Sequence, residues 1–257
     1  MSYFIDTHTH LYSEQFNEDR TEMIRRALDA NVKKLLLPNI DLESIEGMFE
    51  LEQQFPENCH AMMGLHPCSV DANYRQVLDR MYQELKKRPF LAIGETGIDL
   101  YWDKTFLKEQ QEAFKIQIAW SKEFNIPFVI HARDSFAEIY EVLDEVWDDS
   151  LSGVFHCFTG TPEDVQKINT YKNMYFGIGG VSTFKKSGLA DVIPQIPKDR
   201  LLLETDAPYL APTPYRGKRN ESSYIPLIAE NMATILQQPL EAIMELTTRN
   251  AKQLFKF

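Results

Sequence analysis

The chain has 257 residues, of which 44% are hydrophobic and 25% charged, and its net charge is −11. This length suits one (β/α)8 barrel, so we expect a single domain over residues 1–257. The acidic balance excludes a protein that holds nucleic acid by a broad basic surface, because such binding needs clustered lysine and arginine. No apolar run reaches the roughly 18 residues of a spanning helix, and no secretory signal is recognisable. We therefore expect a cytoplasmic protein without a membrane contact, and a monomer by default.

Short apolar runs alternate with helical patterns along the chain, which is typical of repeated βα units on a parallel sheet. The predicted strands are Tyr3–His8, Lys33–Pro38, His60–Leu65, Phe90–Glu95, Pro127–His131, Gly153–His156, Met174–Ile178 and Arg200–Glu204. The predicted helices between them are Glu18–Ala30, Leu42–Gln54, Tyr74–Lys87, Thr105–Phe124, Ser135–Val146, Pro162–Thr170 and Ser187–Ile193. Two further helices are predicted at Tyr224–Leu236 and Leu240–Phe255. The pattern predicts a TIM-type (β/α)8 barrel, an α/β fold, with extra C-terminal helices.

Two histidines stand at the end of the first predicted strand, in Asp6-Thr7-His8-Thr9-His10. Alternate side chains of an extended segment share a face, so Asp6, His8 and His10 can project together. Two neutral imidazoles suit a divalent metal, and a carboxylate such as Asp6 can hold a ligand ring in the required tautomer. An isolated pair of this kind fits two hydrogen-bonded structural histidines equally well.

Polar side chains also follow the other predicted strands, at the end where the chemistry of such barrels is found. Five of the six histidines lie at this end, and only His60 lies at the opposite one. Each residue alone fits a structural role, such as a salt bridge for Glu95 or a helix cap for Asp206. Structural residues would not be expected to collect at six strand ends. The motifs are Asp6–His10, Gly64–Pro67, Gly94–Asp99, His131–Asp134, His156–Phe158 and Glu204–Pro208.

Four imidazoles and two carboxylates exceed what one metal takes from a protein while keeping an open position, so they predict two divalent ions. Glu95 is the expected bridge, because each of its two carboxylate oxygens can face one ion. Zn, Mg and Mn all remain open as the metal. The first and eighth strands are neighbours in a closed barrel, as are the fifth and sixth. We therefore expect one site to be completed by His8, His10 and Asp206, and the other by His131 and His156.

The ordered motifs resemble the TatD-type metal-dependent hydrolases, deoxyribonucleases of the amidohydrolase-like barrel superfamily. They are DTHTHL at 6–11, GLHP at 64–67, IGETGID at 93–99, HARD at 131–134, HCFTG at 156–160, FGIGG at 176–180, LLLETDAPYLAP at 201–212 and RGKRNE at 216–221. The resemblance implies hydrolysis of DNA phosphodiester bonds. It also implies metal ligands at the same six residues, His8, His10, Glu95, His131, His156 and Asp206.

In the mechanism expected for such a site, a water activated by one or two divalent ions attacks phosphorus in line. Asp206 both ligates and accepts the proton of the water, and Glu95 bridges the ions. Glu204 is either a reserve base in contact with substrate or a partner that orients a ligand. His66 and Arg133 are expected to bind phosphate oxygens, because neither is needed as a ligand. The alternative for Arg133 is an ion pair with Asp134 or another carboxylate at the same end of the barrel.

Several loop residues have two interpretations. Arg216, Lys218 and Arg219 add positive charge that suits a phosphodiester, or they belong to an ordinary solvated loop. Tyr101, Trp102 and Tyr209 stack on bases of a single strand, or they only pack their own loops.

Two other function classes remain open. One is a hydrolase of amide, lactone or aminoacyl-tRNA ester bonds on the same scaffold. Many amidohydrolase-type sites resembling this one use a carboxylated lysine on the fourth strand, where this chain has Glu95, which favours the phosphodiesterase. The other class is a non-enzymatic, metal-dependent binding protein, against which the open ligand set argues.

Overall fold

Eight parallel strands form the centre of the molecule in the computed structural model, which describes residues 2–257. They pair in two runs, the first three strands in one and the last five in the other. The strands are β1 (Phe4–Asp6), β2 (Val32–Pro38), β3 (Cys59–Met62), β4 (Ile93–Asp99), β5 (Phe128–Arg133), β6 (Gly153–Phe155), β7 (Met174–Ile178) and β8 (Leu201–Leu203).

Two backbone bridges join these runs into a barrel. Met63 pairs with Ile93 between β3 and β4, and Thr9 pairs with Ala207 just beyond the ends of β1 and β8. At the second seam, the His10 N–H donates to the carbonyl oxygen of Ala207 at 2.7 Å. The predicted (β/α)8 barrel is therefore confirmed.

Nine α-helices accompany the strands over residues 2–257 in the predicted order, and two of them follow β8 as expected. The start of α6 shows how local sequence sets an element. The Thr161 hydroxyl accepts from the Asp164 N–H, and the Asp164 carboxylate accepts from the Thr161 N–H, as in a capping box. The helices are α1 (Arg20–Asp29), α2 (Ser44–Gln54), α3 (Tyr74–Lys87), α4 (Leu107–Phe124), α5 (Phe136–Val146), α6 (Pro162–Ile168), α7 (Leu189–Val192), α8 (Ile225–Leu236) and α9 (Leu240–Phe255).

Apolar side chains fill the inside of the barrel, and α9 closes its amino-terminal end. Each strand or its flank contributes one buried residue, and Ala251, Leu254 and Phe255 of α9 pack against this layer. The strand residues are Ile5, Leu36, Met62, Ala92, Val129, Val154, Tyr175 and Leu202. Because one end of the barrel is closed in this way, a site can open only at the carboxyl ends of the strands.

The fourth strand extends further than its predicted end at Glu95. β4 continues to Asp99, which pairs with Arg133 of β5. Gly97 allows this pairing, because a Cβ at that position would lie 2.1 Å from the carbonyl oxygen of His131. The extension places Asp99 beside β5 and not in a free loop.

No helix within residues 2–257 is long and apolar enough to cross a membrane. The cytoplasmic location expected from the sequence stays a prediction. The single domain and the monomeric state also stay predictions.

Candidate metal centre

The carboxylate of Glu95 lies at the centre of the candidate site and faces two groups of side chains. Its Oε2 is 3.1 Å from Nε2 of His8 and 3.5 Å from Nε2 of His10. Its Oε1 is 2.7 Å from Nδ1 of His131 and 2.8 Å from Nε2 of His156. Glu95 thus presents one oxygen to each of two donor sets, which is the arrangement that a bridging carboxylate requires.

The first donor set comprises Glu95 Oε2 with His8, His10 and Asp206. The Nε2 atoms of His8 and His10 are 3.3 Å apart. Oδ1 of Asp206 is 3.5 Å from Nε2 of His10 and 3.8 Å from Nε2 of His8. Ligands bound at about 2.1 Å in a tetrahedral arrangement lie roughly 3.4 Å apart. The spacing of this set therefore fits one divalent ion.

The second donor set comprises Glu95 Oε1 with His131, His156 and, in addition, His66. Nε2 of His156 is 3.4 Å from Nδ1 of His131. Nε2 of His66 is 3.3 Å from that same Nδ1 and 3.4 Å from Glu95 Oε1. Sequence reasoning left His66 free for substrate, whereas this spacing also suits a metal ligand. Both roles of His66 stay predictions.

The charge balance of the site favours cations. Within residues 2–257, Glu95, Asp206 and Glu204 have no lysine or arginine within ion-pair distance, although all three are largely buried. Burial opposes protonation of His131 and His156, but the surrounding carboxylates raise the pKa of both rings. The buried carboxylates thus favour positive charge beside these rings, and divalent ions would supply that charge. The donor sets therefore fit metal ions in charge as well as in spacing.

Tyr12 fixes the orientation of His10. Its hydroxyl donates to the carbonyl oxygen of Pro38 at 2.5 Å and lies 2.9 Å from Nδ1 of His10. With its proton used on Pro38, the hydroxyl accepts from Nδ1 of His10 and leaves the Nε2 lone pair pointing into the first donor set. Sequence reasoning did not single out Tyr12. The available signal was its position two residues after His10.

Asp99 has the corresponding role for His131. Its Oδ2 is 2.8 Å from Nε2 of His131, so the proton of the ring belongs on Nε2 and the Nδ1 lone pair faces Glu95. Burial alone would raise the pKa of Asp99, but the contact with His131 lowers the pKa to about 2. Asp99 therefore acts as a carboxylate that orients His131. The sequence placed it only inside a motif, because its strand was expected to end at Glu95.

Glu204 lies behind His156 and away from the lining of the cavity. Its Oε1 is 3.3 Å from Nδ1 of His156 and accepts from the Cys157 N–H. Gly177 leaves the space for it, because a Cβ there would lie 2.0 Å from Glu204 Oε2. This placement favours the interpretation that Glu204 orients a ligand over direct contact with substrate.

Asp6 does not orient a ligand ring as expected. Its carboxylate accepts hydrogen bonds from the Thr205 N–H at 2.9 Å, the Thr205 hydroxyl at 2.6 Å and the Ser222 hydroxyl at 2.7 Å. Burial raises the pKa of Asp6 to about 7. Asp6 instead ties β1 to the segments that follow β8, at the seam where the barrel closes.

A cavity of about 640 Å³ opens above the two donor sets. Glu95 and Asp206 line its floor, and Arg133, Trp102 and Tyr209 line its mouth. Arg133 forms no ion pair with any residue in 2–257, so the expected alternative of a partner carboxylate is not observed. Its guanidinium carbon lies 3.7 Å from the ring centre of Tyr101.

The basic loop after β8 is largely engaged in contacts within the chain. Arg219 forms two hydrogen bonds of 2.7 Å with the carboxylate of Asp19. The guanidinium carbon of Arg216 lies 4.4 Å from the ring centre of Phe184. Of the cationic side chains considered for phosphate, Arg133 is therefore the one both at the cavity and without an acidic partner.

The family of the chain follows from comparison with known proteins. The family model described as TatD related DNase matches residues 5–256. The chain belongs to this family. Among similar proteins, the uncharacterized metal-dependent hydrolase YabD of Bacillus subtilis is 38% identical over 98% of both chains. The 3'-5' ssDNA/RNA exonuclease TatD of Dickeya dadantii is 34% identical over 98% of this chain and 97% of its own.

A solved structure of a TatD homologue supports the same assignment. The YJJV protein of Escherichia coli superposes with a TM-score of 0.91 and 27% sequence identity, covering 99% of this chain and 98% of its own. As a member of the TatD family, the chain is a metal-dependent hydrolase.

Proposed function

We propose that this TatD-family hydrolase cleaves phosphodiester bonds of single-stranded nucleic acid, with DNA as the leading substrate, at a centre of two divalent ions. The observation that carries the proposal is the carboxylate of Glu95, which faces a separate donor set with each oxygen. Relatives that share about a third of the sequence bear the name 3'-5' ssDNA/RNA exonuclease. The proposal treats residues 1–257 as one catalytic domain.

The six residues selected from the sequence would hold the ions. His8, His10 and Asp206 would bind one, and His131 and His156 would bind the other, with Glu95 shared between them. His66 lies close enough to the second set to contribute as well. When bound, such divalent ions would lower the pKa of a bound water, to about 7 in the case of Zn, and stabilise the negative charge that develops on a transferring phosphoryl group.

Asp206 is the proposed proton acceptor. Burial raises the pKa of this carboxyl, but the neighbouring histidines, His10 first and then His156 and His8, lower the pKa below its ordinary value. The group is therefore ionised at neutral pH. Its side chain is 14% exposed and lines the cavity, so it can take a proton from water attacking there.

Arg133 is the proposed phosphate ligand. Its planar guanidinium matches two phosphate oxygens, and no carboxylate within residues 2–257 competes for it. Burial lowers the pKa of His66, which keeps the ring neutral, so it can donate a single hydrogen bond to phosphate or ligate a metal. The contact of Glu204 with His156 supports an orienting role for that carboxylate.

The test is hydrolysis by the purified protein of single-stranded DNA, duplex DNA, RNA and aminoacyl-tRNA, each with added Mg, Mn or Zn. Asp206→Asn and Glu95→Gln are expected to lower the rate on single-stranded DNA by about 10²- to 10⁴-fold, because they remove the proton acceptor and the shared ligand. Asp199→Asn is the matched control, since this exposed carboxylate precedes β8 at the opposite end of the barrel.

The proposal predicts wild-type activity for Asp199→Asn and greatest activity on single-stranded DNA. Equal rates for wild type and Asp206→Asn on every DNA substrate would contradict it. If the protein hydrolyses aminoacyl-tRNA and none of the DNA or RNA substrates, the alternative function of an aminoacyl-tRNA ester hydrolase replaces the proposed one.

A further inference from the structure

Exposed apolar side chains concentrate at the mouth of the cavity. Four of the six large apolar side chains exposed within residues 2–257 are found there: Tyr101 at 52%, Trp102 at 72%, Tyr209 at 49% and Leu210 at 42%. The other two, Leu240 and Phe257, belong to the C-terminal segment. Exposing large apolar rings to water is unfavourable, so their grouping beside a polar site indicates a ligand surface.

Tyr101, Trp102 and Arg133 form one unit, here called the aromatic platform. The two rings meet edge to face at 90°, with their centres 4.8 Å apart. The guanidinium carbon of Arg133 lies 3.7 Å from the ring centre of Tyr101 and 5.4 Å from that of Trp102. These contacts hold Tyr101 and leave most of the Trp102 ring open to solvent. An open aromatic ring is the surface on which a nucleobase stacks.

Asp99 connects the aromatic platform to the candidate metal centre. One oxygen of its carboxylate contacts Nε2 of His131 at 2.8 Å, and the other accepts from the Tyr101 N–H at 3.0 Å. The Leu100 N–H also donates to the carbonyl oxygen of Arg133 at 3.0 Å. The platform is therefore fixed relative to the second donor set by hydrogen bonds at the base of its loop.

Tyr209 lies on the other side of the mouth. Its ring centre is 6.3 Å from that of His10, in the first donor set. Tyr209 follows β8, whereas Tyr101 and Trp102 follow β4, and these strands lie on opposite sides of an eight-stranded barrel. Aromatic rings thus flank the metal centre on both sides, as a strand passing across the cavity would require.

On the basis of the function proposed above, we propose that the aromatic platform stacks one unpaired nucleobase of a single strand while Arg133 binds an adjacent phosphate. Every base has a π face, so the subsite takes any sequence. Bases inside a duplex have both faces covered, so the subsite selects single-stranded substrate. The occupant is a nucleotide of a DNA or RNA strand and not a protein segment, because the guanidinium of Arg133 supplies the charge that a phosphate needs.

The test compares two short single strands of equal length, an oligothymidylate and a strand with stable abasic tetrahydrofuran residues. Metal-loaded wild type, Trp102→Ala, Trp102→Phe and the control Phe257→Ala are assayed on both. Phe257 is an exposed aromatic ring that stacks on His60 at the amino-terminal end of the barrel. Removal of the Trp102 ring is expected to lower kcat/KM on oligothymidylate by about 10-fold, mainly through KM.

Trp102→Phe is expected to retain most of this activity, and Phe257→Ala all of it. On the abasic strand, wild type and Trp102→Ala are expected to be equal. If Trp102→Ala loses the same factor on both strands, or Trp102→Phe behaves as Trp102→Ala, the ring only packs its loop and the subsite is refuted. If wild type cleaves neither strand, the proposed nuclease function itself fails.

Discussion

Asp99→Asn tests how the orientation of His131 affects metal binding, because it changes the partner of this candidate ligand and leaves His131 itself in place. Asparagine keeps the shape of aspartate, and its oxygen can still accept from the Tyr101 N–H, as Asp99 does at 3.0 Å. Its amide nitrogen then faces Nε2 of His131, which lies 2.8 Å from the carboxylate in the wild type. Two donors would oppose each other, so His131 must move its proton to Nδ1. That proton would occupy the lone pair that faces Glu95.

The expected loss in metal affinity is about 10- to 100-fold, equivalent to about 1.4 to 2.8 kcal/mol. The loss is expected at one ion only, because the first donor set has no contact with Asp99. Competition between the protein and a chromophoric zinc chelator measures both affinities. Asp103→Asn is the control, since this carboxylate lies four residues further on in the exposed loop after β4 and accepts hydrogen bonds from Thr105.

The reasoning about Asp99 is wrong if Asp99→Asn binds both ions as tightly as Asp103→Asn does. It is also wrong if the two affinities fall by the same factor. Thermal unfolding of each variant shows whether the fold is retained, so a loss of metal can be separated from a loss of structure.

Three further predictions concern stability. Tyr12→Phe leaves Pro38 and His10 without the hydroxyl partner, and should lower the free energy of unfolding by about 1 to 3 kcal/mol, measured by urea unfolding; an unchanged midpoint would contradict the contact. Gly177→Ala should lower the free energy of unfolding by about 1 to 3 kcal/mol, because the added Cβ would overlap Glu204. Gly47→Ala in α2 is the control: the nearest atom to its Cβ would be 3.7 Å away, so the free energy of unfolding should stay the same or rise. Hydrogen bonds from Arg219 and Arg26 lower the pKa of Asp19 to about 2 from an ordinary 3.8. The folded pKa is below the unfolded one, so this stabilisation is present above the unfolded pKa of about 4 and is lost as the pH falls toward 2. The free energy of unfolding of Asp19→Asn, measured against pH, should lack that loss. If the wild type and Asp19→Asn lose stability equally over this range, the ion pairs of Asp19 are not the cause of the loss.

Patterns local in the chain predicted most of the fold. β7 was predicted with its observed bounds, because an apolar run between turn residues has few alternatives. α6 begins at Pro162 as predicted, and its capping chemistry is complete within the four residues from Thr161 to Asp164. The end of β4 was not predicted, because the pairing of residues 96–99 with residues 130–133 of β5, which are distant in the chain, extends the strand.

The same division between local and distant contacts holds for the candidate site. Position at strand ends was enough to select the residues of both donor sets except His66, which was assigned to substrate. Asp6 shares the face pattern of His8 and yet contacts Thr205 and Ser222, because barrel closure brings those residues to it. Arg219 looked available for phosphate, but Asp19, 200 residues away in the chain, pairs with it. Partners so distant in sequence leave no local pattern.

The central claim is that Glu95 joins two divalent ions in one centre. Elemental analysis of the protein, purified gently from metal-replete medium, measures this directly, with Glu95→Gln and Asp199→Asn alongside. The account predicts two ions per chain in wild type and Asp199→Asn, and one or fewer in a folded Glu95→Gln, because both donor sets lose a charged oxygen. One ion or fewer in wild type, or two retained in Glu95→Gln, would contradict it.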